Sequence, residues 1–489
     1  MKSKAPAALA AVLILLSAVV SVGAFAFYQQ LVRGDVVTGM RTVGAGGAVW
    51  GLYVVMDGFF LGAGVAIMAC ACLARFSRDR ELETVARIAM PVAITCLLGG
   101  ALCVVADQGR PLAALFNLAR FARPQSPMFV TFTWVGAICL FASLVHCVLA
   151  RRADLAEYAK RPSPWQPLQR LLAAGYRGSA AEGYRRRKSG FWMSALMVPA
   201  LVTPLTALAI IFVVRPARPL AATLIEVAAF FLLSVAGGLG LLLVAAALVG
   251  RLAGPSAGLG PRGFARLGKA LLFTLSLSLP VIVWAEIAAI QSDDPAVSAF
   301  GWSLLSDAYA LHFWTALTGL FLAAGLLLRG ARRRRLGPRV TVVAGVLVQA
   351  GVILHHYLLL VAWQTHGLAL PYKPGMYAPT WIEVAVVLGV AAFCVLALLP
   401  AIRLIPFAPL VFEAEPDQGR VGDPRRTLIT GLWFFAGLAI AGIGLALSAR
   451  VGTEAYLDPI VPGSPIVFIA GLVVMATTGA VYELLPERK

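Results

Sequence analysis

The sequence predicts an all-α polytopic membrane protein of about twelve spans, and three observations carry that prediction. The 489-residue chain is 60% hydrophobic and 13% charged, with a mean hydropathy of +0.85, whereas soluble domains carry roughly a quarter charged residues. Apolar runs of about twenty residues, each long enough to cross roughly 30 Å of hydrocarbon at about 1.5 Å per residue, recur along its whole length. Alternating strands of about ten residues, the mark of a closed barrel, are absent, and lipid offers unpaired backbone amides no partner, so each run is expected to be a helix.

The first run, 7–27, follows the short basic "MKSKAP" and ends near "AFA", as a secretory signal does. It is long for the apolar core of a signal, and its removal would break the charge alternation described below, so it is read as the first span. The second, 48–73, carries small residues around one acid in "GLYVVMDGFFLGAG". The third, 88–106, ends at Asp107, and the loop "DQGRPLAALFNLARFARPQSPM" separates it from the fourth, 128–150. The fifth and sixth, 191–214 and 220–249, are parted by the short "RPARPL". The seventh and eighth, 270–290 and 308–328, precede "RRRRLGPR", which introduces the ninth, 340–363, and the tenth follows at 380–402. A polar linker at 411–427 then leads to a final pair, 428–448 and 464–485. Residues 1–410 are therefore expected to form one membrane domain of about ten helices, and 428–489 an added two-helix hairpin.

Orientation follows from the basic residues. With the N-terminus placed inside, the inner segments hold 32 of the 41 Lys and Arg and the outer loops nine, the bias that the positive-inside rule describes. Both termini are thus expected in the cytoplasm. The formal net charge of +18 is then mostly a topogenic signal facing membrane lipids, and it requires no nucleic-acid partner. The seven cysteines all lie in or at the ends of apolar runs, where thiols act as small packing residues.

Ionisable side chains within a bilayer are costly and mark functional candidates. Asp57 stands alone in an unbroken apolar run, more than two turns from either end. Asp107, Glu286, Asp307, His312, Glu226, Glu383 and the pair His355 and His356 all fall in the outer half of their spans, with His146 the exception. This one-sided distribution points to a polar site reached from the outer face, with Asp57 and the two histidines deepest. A di-haem cytochrome needs paired axial histidines at matched depths on two helices, and five His, two of them adjacent, supply no such set. No His or Cys cluster suits zinc or an iron–sulfur centre, and no Gly-rich phosphate or dinucleotide loop follows a strand.

Three stretches carry a resemblance to a known family. "WGLYVVMDGFFLGAG" follows "YQQLVRGDVVTGM"; "DQGRP" and "SPM" flank an Asn-containing segment with Asn117; and "YAPTWIEVAVVLGVAAFCVLALLPAIRLIP" closes the tenth span. Over about residues 8–410 the chain resembles the NrfD/PsrC family of polysulfide-reductase membrane subunits, in the branch that serves hydrogenase and sulfite-reductase complexes. The resemblance implies two four-helix bundles, spans 2–5 and 6–9, in a bacterial cytoplasmic (inner) membrane. It further implies a haem-free subunit that binds menaquinone or ubiquinone near the outer face. Its electron partner would be a docked ferredoxin-like iron–sulfur subunit, with a molybdopterin enzyme or multihaem cytochrome as further redox subunits.

Such a site needs an apolar slot, hydrogen-bond partners for two carbonyls and a group that moves protons. Asp57, Asp107, His355, His356 and Glu383 are the expected proton-handling residues, and Trp363, Gln364, Tyr372 and Tyr377 the expected quinone contacts. Gly109 and Pro111 turn the chain at the surface, Arg110 is placed to pair with an acid, and this loop is expected to meet the partner. Where many family members have an Arg in the ninth span, this chain has "HHY". Three other readings stay open: a secondary transporter, which also suits twelve spans with a mid-membrane acid; a cytochrome bd-type second subunit, which "MDGFFLGAG" resembles over a short stretch; and a passive structural anchor, if the site residues prove scattered.

Overall fold

The structure, a computed structural model, describes residues 4–41, 47–76, 79–121, 135–213, 220–253, 258–366, 377–404, 423–448, 461 and 463–485. Every regular element among them is helical. In chain order these are α1 (Lys4–Arg33), α2 (Leu52–Arg75), α3 (Arg80–Asp107), the short α4 (Pro111–Phe121), a π-helical Val135–Ala142 leading into α5 (Ser143–Leu149), α6 (Arg152–Tyr158), α7 (Gln166–Ala173) and α8 (Ala180–Val213). Then come α9 (Leu220–Ala253), α10 (Pro261–Ile290), the short α11 (Pro295–Ser306), α12 (Ala310–Arg332) and α13 (Pro338–Tyr357), which runs on through a π-helical Leu358–Ala362 to Thr365. The last are α14 (Trp381–Leu404), α15 (Pro424–Ser448), α16 (Ser464–Ala476) and α17 (Thr478–Leu484).

Among the described residues ten helices are long and apolar enough to cross a membrane, and α16 with α17, bent by 42°, make an eleventh if the pair is one span. The fourth expected span, 128–150, is described only from Val135 onward and so falls short of full length. The polar linker expected at 411–427 lies mostly outside the described residues, as does "SPM". Helix ends differ from the apolar runs for a physical reason. Hydropathy marks where a helix meets hydrocarbon, but caps decide where it stops. At the start of α3, the Asp79 side chain accepts from the Glu81 amide at 2.8 Å, and the helix begins eight residues before the apolar run does.

Helices α2, α3, the segment 135–149 and α8 pack as one group of four, and α9, α10, α12 and α13 as a second. The groups meet where α2 lies against α9 and α13, which makes α2 the central helix, buried along nearly its whole length. Small residues allow that approach: a Cβ on Gly62 would sit 2.6 Å from Ser234 Oγ of α9, so only glycine fits there. Helix α1 pairs with α14, which also rests on α3.

The C-terminal hairpin packs on the first group through α16 and α17. It is held by charge as well as by packing. Arg152 Nη1 meets Glu483 Oε1 at 2.6 Å with both side chains almost wholly buried, and Arg426 donates to the carbonyls of Tyr482 and Leu485 at 2.7 and 2.6 Å, filling acceptors that end α17. All seven cysteines are free.

Candidate functional site

A cavity opens between α2, α3 and α8. Its walls are Trp50, Val54, Cys103, Val104, Leu208, Ile211 and Phe212, its polar members are Asp57, Asp107 and Gln108, and its empty volume is about 480 Å³, the open space at its mouth included. Helical spacing builds it: Val54 and Asp57 are three apart on α2, Cys103 and Asp107 four apart on α3, and each pair shares a face. Asp57 is 4% exposed, and its Oδ1 is buried with no hydrogen-bond partner. A buried carboxyl oxygen without a donor is rare and costly, and this one lies in the cavity wall. Asp107 Oδ1 is in the same condition at the end of α3.

The frame around the cavity is made of long-range hydrogen bonds that end on the first turn of α2. Gln364 Oε1 accepts from the amides of Val49 and Trp50 at 2.9 and 3.0 Å, and its Nε2 donates to the Trp50 carbonyl at 3.1 Å. Tyr377 accepts from the Leu52 amide at 2.7 Å and donates to Glu383 Oε1 at 2.5 Å. Burial, and then the Glu383 carboxyl, push the Tyr377 phenol above its usual range. Glu383 is fully buried and its Oε2 also accepts from the amides of Gly39 and Thr380 at 2.6 and 2.9 Å. The start of α2 has no side chain of its own to cap it. Gln364, Tyr377 and Glu383 therefore do a cap's work, and they place Trp50, Val54 and Asp57.

A second set of bonds holds the end of α3. Tyr53 donates to Gln30 Oε1 at 2.7 Å, and Gln30 Nε2 donates to the Ala106 carbonyl and to Asp35 Oδ1 at 3.0 and 2.9 Å. Gly109 follows with φ +60°, and a Cβ there would collide with the Asp35 carboxylate. The position is closed to other residues by both conformation and space.

The remaining expected residues do not line the cavity. His356 is fully buried, neither ring nitrogen has a partner, and its ring stacks on Phe230 at 4.7 Å. Phe230 meets Phe212 edge-on at 5.8 Å, and Phe212 meets Trp50 at 6.1 Å, so a line of rings joins His356 to the cavity wall. His355 Nδ1 is buried without a partner, and Glu226 acts on it electrostatically. Trp363 packs edge-on against Phe300 of α11 at 4.9 Å, away from the cavity lining. Arg110 and Asn117 are exposed, Pro111 opens α4, and among the described residues no ion pair joins Arg110 to Asp107. Tyr372 lies outside the described residues.

Trp50, Gln108 and Phe212 were not singled out by sequence. Trp50 had a signal, since it precedes Asp57 by two helical turns, but Phe212 is one apolar residue among many in its run.

Over residues 41–367 the chain matches the family described as polysulphide reductase, NrfD. The chain belongs to the NrfD family. All ten cavity residues and Gln364 lie within the NrfD match, whereas Tyr377 and Glu383 lie beyond it. A relative from Halobacterium salinarum, named as a membrane subunit of dimethyl sulfoxide reductase, is 27% identical over 436 residues, covering 83% of this chain and 92% of the relative.

Proposed function

We propose that this NrfD protein is the quinone-reactive membrane subunit of an oxidoreductase complex, taking electrons from quinol, or returning them, at the cavity between α2, α3 and α8. The single observation that carries the reading is Asp57, a carboxyl with a buried, unpartnered oxygen in the wall of a mostly apolar cavity. A quinol bound there supplies two electrons and two protons. Trp50, Val54, Leu208 and Phe212 form an apolar slot suited to a ring and tail. Asp57 accepts the two protons one after the other inside the cavity, Asp107, at the end of α3, hands each toward the surface, and the two electrons pass to the docked redox subunit. Gln364, Tyr377 and Glu383 are positioning residues that fix the α2 entry.

Trp50, Asp107 and Gln108 put the cavity at the end of the bundle opposite the basic flanks, and on the charge bias that end is the outer one. There α4 exposes Leu112 and Phe116 beside Arg110, a mixed apolar and basic surface for a docked iron–sulfur subunit. The relative's name as a reductase membrane subunit supports a place in such a complex. The direct test is purification of the native complex in mild detergent, with assay of quinol oxidation against an artificial acceptor. An iron–sulfur subunit that co-purifies with quinol turnover supports the reading. A chain that purifies alone, with no turnover and no bound quinone, refutes it.

A further inference from the structure

At the opposite end of the first helix group, basic side chains gather around Arg75, which closes α2. Arg151, Arg87 and Arg186 act on it electrostatically with its own sign; the group that opposes them is the Cys72 thiol, and no carboxylate is among them. Arg87 has its own partners, Asp154 at 2.6 Å and Glu83 at 2.9 Å. Arg151, 1% exposed, donates to the Arg87 carbonyl, and Arg186 donates to the Ala150 carbonyl at 3.3 Å. Arg75 Nε is buried with no hydrogen-bond partner.

His146 adds a second, independent sign. It is fully buried; its Nε2 faces Ser194 Oγ at 3.2 Å, its Nδ1 has no partner, and Arg75 is the charge that acts on it. Arg75 thus stands among donors and lacks an acceptor at its Nε. A guanidinium with a buried, unpartnered nitrogen among like charges is tolerated when an anion completes it, and a phosphate matches the guanidinium fork with paired N–H···O bonds.

The surroundings identify where that phosphate comes from. Phe76 and Phe191 meet edge-on at 5.3 Å and Phe191 and Trp192 at 5.6 Å, with 41, 50 and 56% of their surfaces exposed. Exposed aromatic rings beside arginines at a span's end are the residues that sit where headgroups meet acyl chains. We propose that the basic ends of α2, α5 and α8 form a phosphate site for the headgroup of an anionic phospholipid, with Arg75 as its principal ligand and Arg151 and Arg186 around it.

The test uses the full chain in its native complex, stripped of lipid in detergent, and follows the thermal midpoint as phosphatidylglycerol, phosphatidylcholine or inorganic phosphate is added. Phosphatidylglycerol is expected to raise the midpoint and phosphatidylcholine to leave it unmoved. Arg75→Gln or Arg186→Gln should weaken the apparent affinity for phosphatidylglycerol about tenfold, the worth of one charge-assisted hydrogen bond. Arg333→Gln, an exposed residue past the basic end of α12, should not. If Arg75→Gln does not assemble, Arg75→Lys and Arg186→Gln carry the comparison. A midpoint raised as much by inorganic phosphate overturns the lipid source and leaves a free-anion site. Equal response to the two lipids, or full affinity in both arginine variants, overturns the site itself.

Discussion

Asp57→Asn separates a working carboxyl from a structural one. The amide keeps the shape and size of the side chain but cannot take up a proton. Asp57 Oδ1 has no donor to lose, and its helix is held by packing and by the capping bonds from Gln364 and Tyr377. The stability cost should therefore stay within about 1 kcal/mol, the net worth of one neutral hydrogen bond. A positioned general base contributes roughly 10²–10⁴ to rate, so quinol oxidation by the purified complex should fall at least about a hundredfold, or roughly 2.7 kcal/mol of barrier. The assay pairs quinol turnover with a thermal midpoint on the same preparation. Turnover within about threefold of the wild type, with a lowered midpoint, would refute the reasoning and make Asp57 a structural residue.

Three further perturbations probe other parts of the framework. Gly58→Val puts a Cβ 3.0 Å from Phe212 Cε2, and displacing that wall should raise KM for quinol about tenfold, an overpacking cost of roughly 1–3 kcal/mol expressed at the cavity; an unchanged KM would show that the wall does not meet substrate. Glu383→Gln weakens the bonds from Gly39, Thr380 and Tyr377 and should cost roughly 1.5–3 kcal/mol, as hydrogen bonds to a charged group do, read as a lower midpoint with turnover falling alongside it. Arg152→Met strands the buried Glu483 carboxyl and should cost about 3–5 kcal/mol, exposing the C-terminal hairpin to limited proteolysis; adding Glu483→Leu should restore most of the protection.

Much of the architecture could be read from apolar runs alone, because each crossing must be a continuous helix in lipid. Helix limits could not, since α3 and α10 run past their apolar cores on polar turns and caps. Asp57 stood out as a lone acid in an unbroken apolar run, and it lies in the cavity wall. Gln364, Tyr377 and Glu383 stood out for their chemistry, but their bonds to residues 39–52 span more than 300 positions of sequence and are invisible without the fold. Trp50 and Phe212 are ordinary membrane residues until packing brings them to one wall. Arg152 and Glu483 lie 331 positions apart with no sequence sign that they pair, and only the packing of α17 on the first group turns them into a buried pair.

The cavity itself is best interrogated by photoaffinity labelling of the intact complex with an azido-quinone, followed by peptide mapping. Label confined to the segments around Trp50–Asp57, Cys103–Gln108 and Leu208–Phe212, and displaced by excess quinone, is the expected result. Label that instead gathers around Trp363 or the two histidines, with these segments clean, would contradict a quinone site between α2, α3 and α8.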